Sequence, residues 1–148
     1  SRGLGDVYKR QARHAAGEIG HVVVGTDKGE LCACGNHGCL ETWLAMPRIE
    51  AHLAEPGADR DAVLAEAGRR LGIVLAPIVS ALNLSEVVLA GPNAEMSAPL
   101  LSAVESAVRD RTLADTHAEL RLRMTELGHD LVVLGAVVLV LRDRLGVA

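Results

Sequence analysis

The run Cys32-Ala33-Cys34-Gly35-Asn36-His37-Gly38-Cys39 constrains this chain more than any other stretch. All three cysteines of the 148 residues lie within it. It has too little apolar periodicity for a helix or strand and reads as a glycine-bearing knuckle. Three thiols are an odd number, too close together for a disulfide framework, and they point to a reducing, cytoplasmic setting. Thiols with one imidazole suit tetrahedral zinc, and four protein ligands would close the site, making it structural. The candidate ligands are His21, Cys32, Cys34 and Cys39. His37 is a rival nitrogen, but it lies two residues before Cys39, where reaching the same ion would be strained. The plain alternative is three core cysteines with an incidental histidine, for which this glycine-rich run is poorly suited.

Around the knuckle the composition is that of one domain with an aliphatic core. Apolar residues make up 49% of the chain, with no Phe, one Trp and one Tyr. The net charge is −4, and no cluster of Lys and Arg suggests a nucleic-acid surface in these residues. The longest apolar run, 131–141, is too short to span a bilayer, so no membrane partner is expected. Residues 1–11, SRGLGDVYKRQ, resemble the in-frame translation of a transposon-end sequencing adapter. They are set aside from fold reasoning, and the native segment is expected to start near Ala12, cut from a longer gene. An ordinary polar N-terminus is the alternative.

Strands and helices are expected to alternate, which implies an α/β layer structure. Residues 19–24 predict a strand that turns at Asp27-Lys28-Gly29 and returns through Glu30 and Leu31. Residues 40–53 suit a helix disturbed by Pro47. Asp59 is positioned to cap a helix over 60–82, which Pro77 should kink or divide. Residues 86–90 read as a short buried strand, and Ser97 as the cap of a helix to about Arg111. Residues 120–124 read as a half-exposed strand, and 131–145 as a last helix whose valines leave a strand open.

The run Gly17-Glu18-Ile19-Gly20-His21, followed by Cys32-x-Cys34-Gly35-x-x-Gly38-Cys39-Leu40-Glu41, resembles the ROK family of bacterial sugar kinases and sugar-responsive repressors. The likeness continues through Leu82-Asn83-Leu84, Leu127-Gly128 and Leu134-Gly135-Ala136. It implies an α/β fold, the C-terminal lobe of an actin-like ATPase (ribonuclease H-like) with a zinc knuckle, over residues 12–148, the N-terminal lobe being missing. It also implies the metal ligands His21, Cys32, Cys34 and Cys39, and sugar contacts from Glu18, His21 and Glu41. That assignment is chemically reasonable. A carboxylate accepts paired hydroxyl hydrogen bonds, and an imidazole fixed by zinc through one nitrogen can donate through the other. From composition alone, Glu18 and Glu41 would be solvated surface carboxylates.

A kinase of this family needs an Asp-x-Gly-Gly-Thr phosphate loop and a catalytic aspartate upstream, and neither is present, so no residue here is expected to be catalytic. The family's kinases usually follow the short strand with a glycine-rich turn. Gly91-Pro92-Asn93 departs from that and favours a repressor, whose winged helix-turn-helix would contact DNA through the missing N-terminal domain. The alternative is the C-terminal half of a glucokinase-like enzyme, with ATP and Mg2+ as cosubstrates. A bare zinc-knuckle interaction module would explain the cysteines but not Glu18, Glu41 or the downstream α/β pattern. The expected partners are a sugar or sugar phosphate and further copies of the chain, as a dimer or tetramer, with the apolar faces of 71–82 and 100–108 as candidate seams. His14, His52, His117 and His129 read as surface or boundary residues. Trp43 reads as a helix core position, with packing near a sugar as the alternative.

Overall fold

The computed structural model describes residues 17–25, 29–90 and 97–146, the side chains of Ser97 and His129 excepted. The adapter-like segment, His14, the Asp27-Lys28 turn and Gly91-Pro92-Asn93 lie outside the described residues. The chain divides into two compact units, Ser1–Ala51 and His52–Ala148.

In the first unit, the expected strand over 19–24 does not form. Ile19–His21 is instead a turn of 3-10 helix, closed by His21 N–H donating to Glu18 O and Val22 N–H to Ile19 O. Only the second half of the stretch is extended, making one antiparallel bridge, Val23 to Cys39. Leu31 likewise pairs with His37 inside the knuckle rather than with residues 19–24. Gly20 stands in the first half and Gly17 two residues before the stretch, and Gly is a weak strand former, so local turn bonds prevail over the β-branched Ile19. Residues 40–53 form two helices, α1 (Glu41–Leu44) and α2 (Met46–Leu53). The break is at Ala45, whose ψ of 130° is extended. Pro47 falls in the first turn of α2, where its missing N–H leaves no bond unmade. An ion pair of 2.7 Å between Arg48 and Glu30 ties α2 to the arm before the knuckle.

The second unit is built on α3 (Arg60–Leu82). Asp59 caps it by accepting from the N–H groups of Asp61 and Ala62. Asn83 ends it in the left-handed conformation, with φ of 49°. Pro77 does not divide this 23-residue helix. It stands on the exposed side, where the carbonyl that loses its partner can turn to water, while Val74, Leu75, Ala76 and Val79 are buried on the other side. The strand β1 (Glu86–Leu89) pairs in parallel with β2 (Arg121–Met124), with Val87 opposite Leu122 and Leu89 opposite Met124. β1 is not the buried strand expected, since Glu86 and Val88 are exposed. Between the strands lie α4 (Ser97–Arg109) and the short α5 (Ala114–Ala118). The last helix is α6 (Leu131–Leu145).

The core of this unit is the contact between α3 and α4. Leu64, Val79 and Val104 are fully buried, each contributing about 1.5–3 kcal/mol. Two glycines one turn apart let the backbones approach. A Cβ on Gly68 would stand 2.3 Å from Leu100 O, and one on Gly72 would stand 2.5 Å from Ala107 Cβ. The faces suggested as subunit seams therefore serve inside the unit, where Leu71, Val74, Leu75, Val79, Val104, Ala107 and Val108 are buried. No helix among the described residues is long and apolar enough to cross a membrane.

Gly68→Ala should destabilise the chain by about 1–3 kcal/mol, because the new methyl meets a backbone carbonyl that cannot yield. Gly135→Ala, with open space around it in α6, should be neutral or slightly stabilising. Urea unfolding compares the two. Within α3, Glu66 binds Arg69 at 2.7 Å and Arg70 at 2.6 Å. The hydrogen bonds from Arg69 and Arg70 hold its carboxyl at about 2, below its usual 4.5. A depressed carboxylate stabilises fully above its unfolded value and loses that contribution as pH falls toward the folded one. Between pH 5 and pH 2 the wild type should lose roughly 1 kcal/mol more than Glu66→Gln, the figure being discounted because Glu66 is 34% exposed.

Candidate metal centre and its flanking carboxylates

The knuckle is a small closed loop. Cys32 N–H donates to Asn36 O, Gly35 N–H to Cys32 O, and Gly38 N–H to Glu30 O. Gly35 and Gly38 take φ of 90° and 73°, values that side chains disfavour, and these turn the loop back toward Cys32. The bridge from Cys39 to Val23 and the bond from Leu40 N–H to Val22 O bring the 3-10 turn alongside. Thr42, buried in α1, donates its hydroxyl to Cys39 O at 2.8 Å. The backbone therefore fixes Cys39 from both sides.

These constraints bring together the four residues expected from the sequence. One ligand atom each from His21, Cys32, Cys34 and Cys39 lies within 4.8 Å of the others. Cys34 Sγ is 3.6 Å from Cys39 Sγ, and Cys32 Sγ is 3.5 Å from His21 Nδ1. A tetrahedral zinc site with bonds of about 2.3 Å to sulfur and about 2.0 Å to nitrogen has sulfur–sulfur edges of about 3.8 Å and sulfur–nitrogen edges of about 3.5 Å. The donor spacing and donor chemistry fit such an ion. His37 is not in the group, and its Nδ1–H donates to Gly29 O at 2.9 Å.

The thiols differ in environment. Burial, with Cys34 and Cys32 alongside, pushes Cys39 up to about 12. The Asn36 N–H beside exposed Cys34 lowers that thiol. The Cys34 N–H pulls Cys32 down, but burial and the Glu41 carboxylate outweigh it and raise the group. Crowded thiols with raised values are what a cation would relieve by taking the place of their protons.

The flanking carboxylates converge on the same imidazole. His21 Nδ1 faces Cys32 and stands 3.3 Å from Glu41 Oε2, which also accepts from the Cys32 thiol at 3.3 Å. His21 Nε2 faces the other way, 4.0 Å from Glu18 Oε2. Both carboxylates are exposed and His21 is half-buried. Glu41 opens α1, and its Cβ lies 3.8 Å from the place a Cβ on Gly20 would take, so the glycine lets the turn lie close to α1. The Glu41 contact with Cys32 was not foreseen from sequence. The two-residue step from Cys39 to Glu41 through the start of α1 was its available signal.

The ROK family model matches residues 10–143, nearly the whole chain. The chain belongs to the ROK family. Similar relatives of this ROK chain include the DNA-binding transcriptional dual regulator NagC of Escherichia coli K12, 31% identical over 155 residues, covering 87% of this chain and 38% of NagC. The xylose repressor of Caldicellulosiruptor bescii is 26% identical, with 92% of this chain and 41% of the repressor covered. The chain thus spans about two-fifths of the length of these curated relatives. Among solved structures, a ROK hexokinase from Thermus thermophilus superposes with a TM-score of 0.63 at 26% identity, over 88% of this chain and 49% of the hexokinase. A ROK transcriptional regulator described as a homologue of the E. coli MLC protein gives 0.61 at 22% identity, over 72% and 33%, which speaks to the fold alone. The mixed helix-and-strand architecture of the described residues is thus that of ROK proteins.

The centre makes a direct prediction. The chain should bind one zinc ion, and Cys34→Ser should lose it, while His37→Ala should keep it. Metal content after gel filtration reads this, and unchanged zinc in Cys34→Ser would sink the ligand assignment.

Proposed function

We propose that this chain is the sugar-sensing part of a ROK transcriptional regulator, binding a sugar or sugar phosphate through Glu18, His21 and Glu41 beside a structural zinc held by His21, Cys32, Cys34 and Cys39. One observation carries the reading. The His21 ring has Nδ1 toward the thiols and Nε2 toward Glu18, with Glu41 3.3 Å from the ring. An ion on Nδ1 would make Nε2 a fixed donor, and the two exposed carboxylates supply acceptors on either side of the ring, the donor and acceptor types that sugar hydroxyls pair with. Zinc supplies rigidity here and no open coordination position.

The likeness to repressors supports regulation over catalysis, and the structural likeness to a hexokinase supports the second reading, the C-terminal half of an ATP-dependent sugar kinase using Mg2+. In either case the described residues are one part of a larger body, preceded by an N-terminal lobe. Two features support this. No side chain of α6 is buried, and its apolar residues face every direction, with Val132 78% and Leu139 68% exposed. A helix that is apolar all round belongs inside a larger protein. In addition, β1 and β2 make a two-stranded parallel sheet among the described residues, and parallel sheets are normally covered on both faces. DNA contact would then fall to the N-terminal part, and assembly into dimers or tetramers to the intact protein.

Saturation-transfer NMR with N-acetylglucosamine, its 6-phosphate, xylose and glucose tests the site on the zinc-loaded chain. At least one sugar should bind, and Glu18→Gln and Glu41→Gln should each weaken it about tenfold, the equivalent of roughly 1.4 kcal/mol. Glu126→Gln should leave it unchanged. Binding that ignores both site variants, or no binding to any of the four, contradicts the proposal.

A further inference from the structure

We propose that Cys34 and Cys39 are a peroxide-oxidisable pair, so that the knuckle is an oxidation site whose disulfide opens the metal centre. The consequence for the metal rests on the zinc reading above; the disulfide chemistry does not.

Three observations select this pair. Cys34 is the exposed thiol of the three, while Cys32 and Cys39 are buried, so a dissolved oxidant meets Cys34 first. Its Sγ lies 3.6 Å from Cys39 Sγ, and closing to a disulfide of about 2.05 Å takes about 1.5 Å of sulfur movement, which side-chain rotation can supply. Cys32 also lies within reach of both thiols, but it is buried and its own thiol donates to Glu41 Oε2 and faces His21 Nδ1. The sequence holds no fourth cysteine to compete.

The steps balance with hydrogen peroxide as the two-electron oxidant. Cys34 sulfur attacks one peroxide oxygen, the O–O bond breaks, and the leaving hydroxide takes the Cys34 thiol proton to become water, with Cys34 now a sulfenic acid. Cys39 sulfur then attacks Cys34 sulfur and the S–O bond breaks. The departing hydroxide takes the Cys39 proton and leaves as a second water. Two thiols and one peroxide become one disulfide and two waters, the two electrons passing from sulfur to oxygen. Disulfide sulfurs are not thiolate ligands, so only His21 and Cys32 would remain for the ion. Two thiolates and the closed tetrahedron are lost together. Cys39 stands two residues before Glu41, and its carbonyl accepts from Thr42 of the same helix, so the oxidation state of the knuckle reaches the start of α1 directly. A sugar sensor built this way would lose its rigid His21 under peroxide.

The test treats the full wild-type chain, zinc-loaded and zinc-stripped, with hydrogen peroxide, then maps thiols by alkylation and mass spectrometry while a chromogenic chelator follows zinc. The expected result is an intramolecular Cys34–Cys39 disulfide in both samples, with Cys32 still alkylatable. The loaded sample should release its whole zinc complement, and dithiothreitol should restore binding. A disulfide through Cys32, over-oxidation of Cys34 without a disulfide, or a loaded sample that keeps its thiols and metal overturns the inference. If the chain never takes up zinc yet still forms the 34–39 disulfide, the zinc reading fails and the oxidisable pair stands.

Discussion

The first unit depends on one packing constraint: three thiols and an imidazole held within 4.8 Å of one another. Like groups do not crowd in this way without a backbone that forces them to. Here two positive-φ glycines fold the knuckle, a single bridge joins it to Val23, and a buried Thr42 hydroxyl anchors Cys39 from α1. The same bonds carry Glu18 and Glu41 to opposite sides of the His21 ring. The proposed metal scaffold and the proposed sugar site would thus share one element, since whatever fixes the ring orients both nitrogens at once.

The second unit works on a different principle. Close backbone approach at Gly68 and Gly72 lets α3 and α4 bury their apolar faces in each other, and the two short strands lean on a modest ladder with a Glu86–Arg123 pair of 2.8 Å. Its last helix buries no side chain, and its parallel sheet has two strands among the described residues, the two features on which the proposed covering lobe rests. That agrees with relatives more than twice as long as the stretch they share with this chain.

Much of this was legible in the sequence because it is written in local chemistry. The Asp59 cap, the helical period of 60–82, the alternation of 120–124 and the ligand spacing of the knuckle all express short-range rules. The ROK resemblance, now joined by the family match over residues 10–143, rested on the same short motifs. What was misread involves competition between rules. At 19–21 β-branching favoured a strand, but Gly17 and Gly20 let a 3-10 turn close instead. At Pro77 the proline rule predicted a kink or a division, and the division does not occur, because an exposed position and a buried opposite face keep the helix continuous. α5 was not anticipated, because its five residues carry no apolar period and are ordered by Thr112, whose hydroxyl donates to Val108 O and accepts from His117 Nδ1. The apolar faces of 71–82 and 100–108 are ambiguous in sequence, because a single sequence cannot say whether two apolar faces meet each other or a neighbour.

The measurement that bears most directly on the metal centre is X-ray absorption at the zinc edge of the reconstituted chain. The expected first shell is three sulfurs at about 2.3 Å and one nitrogen at about 2.0 Å, with no oxygen. A shell with fewer than three sulfurs, or one containing water or carboxylate oxygen, would contradict a closed structural site on His21, Cys32, Cys34 and Cys39.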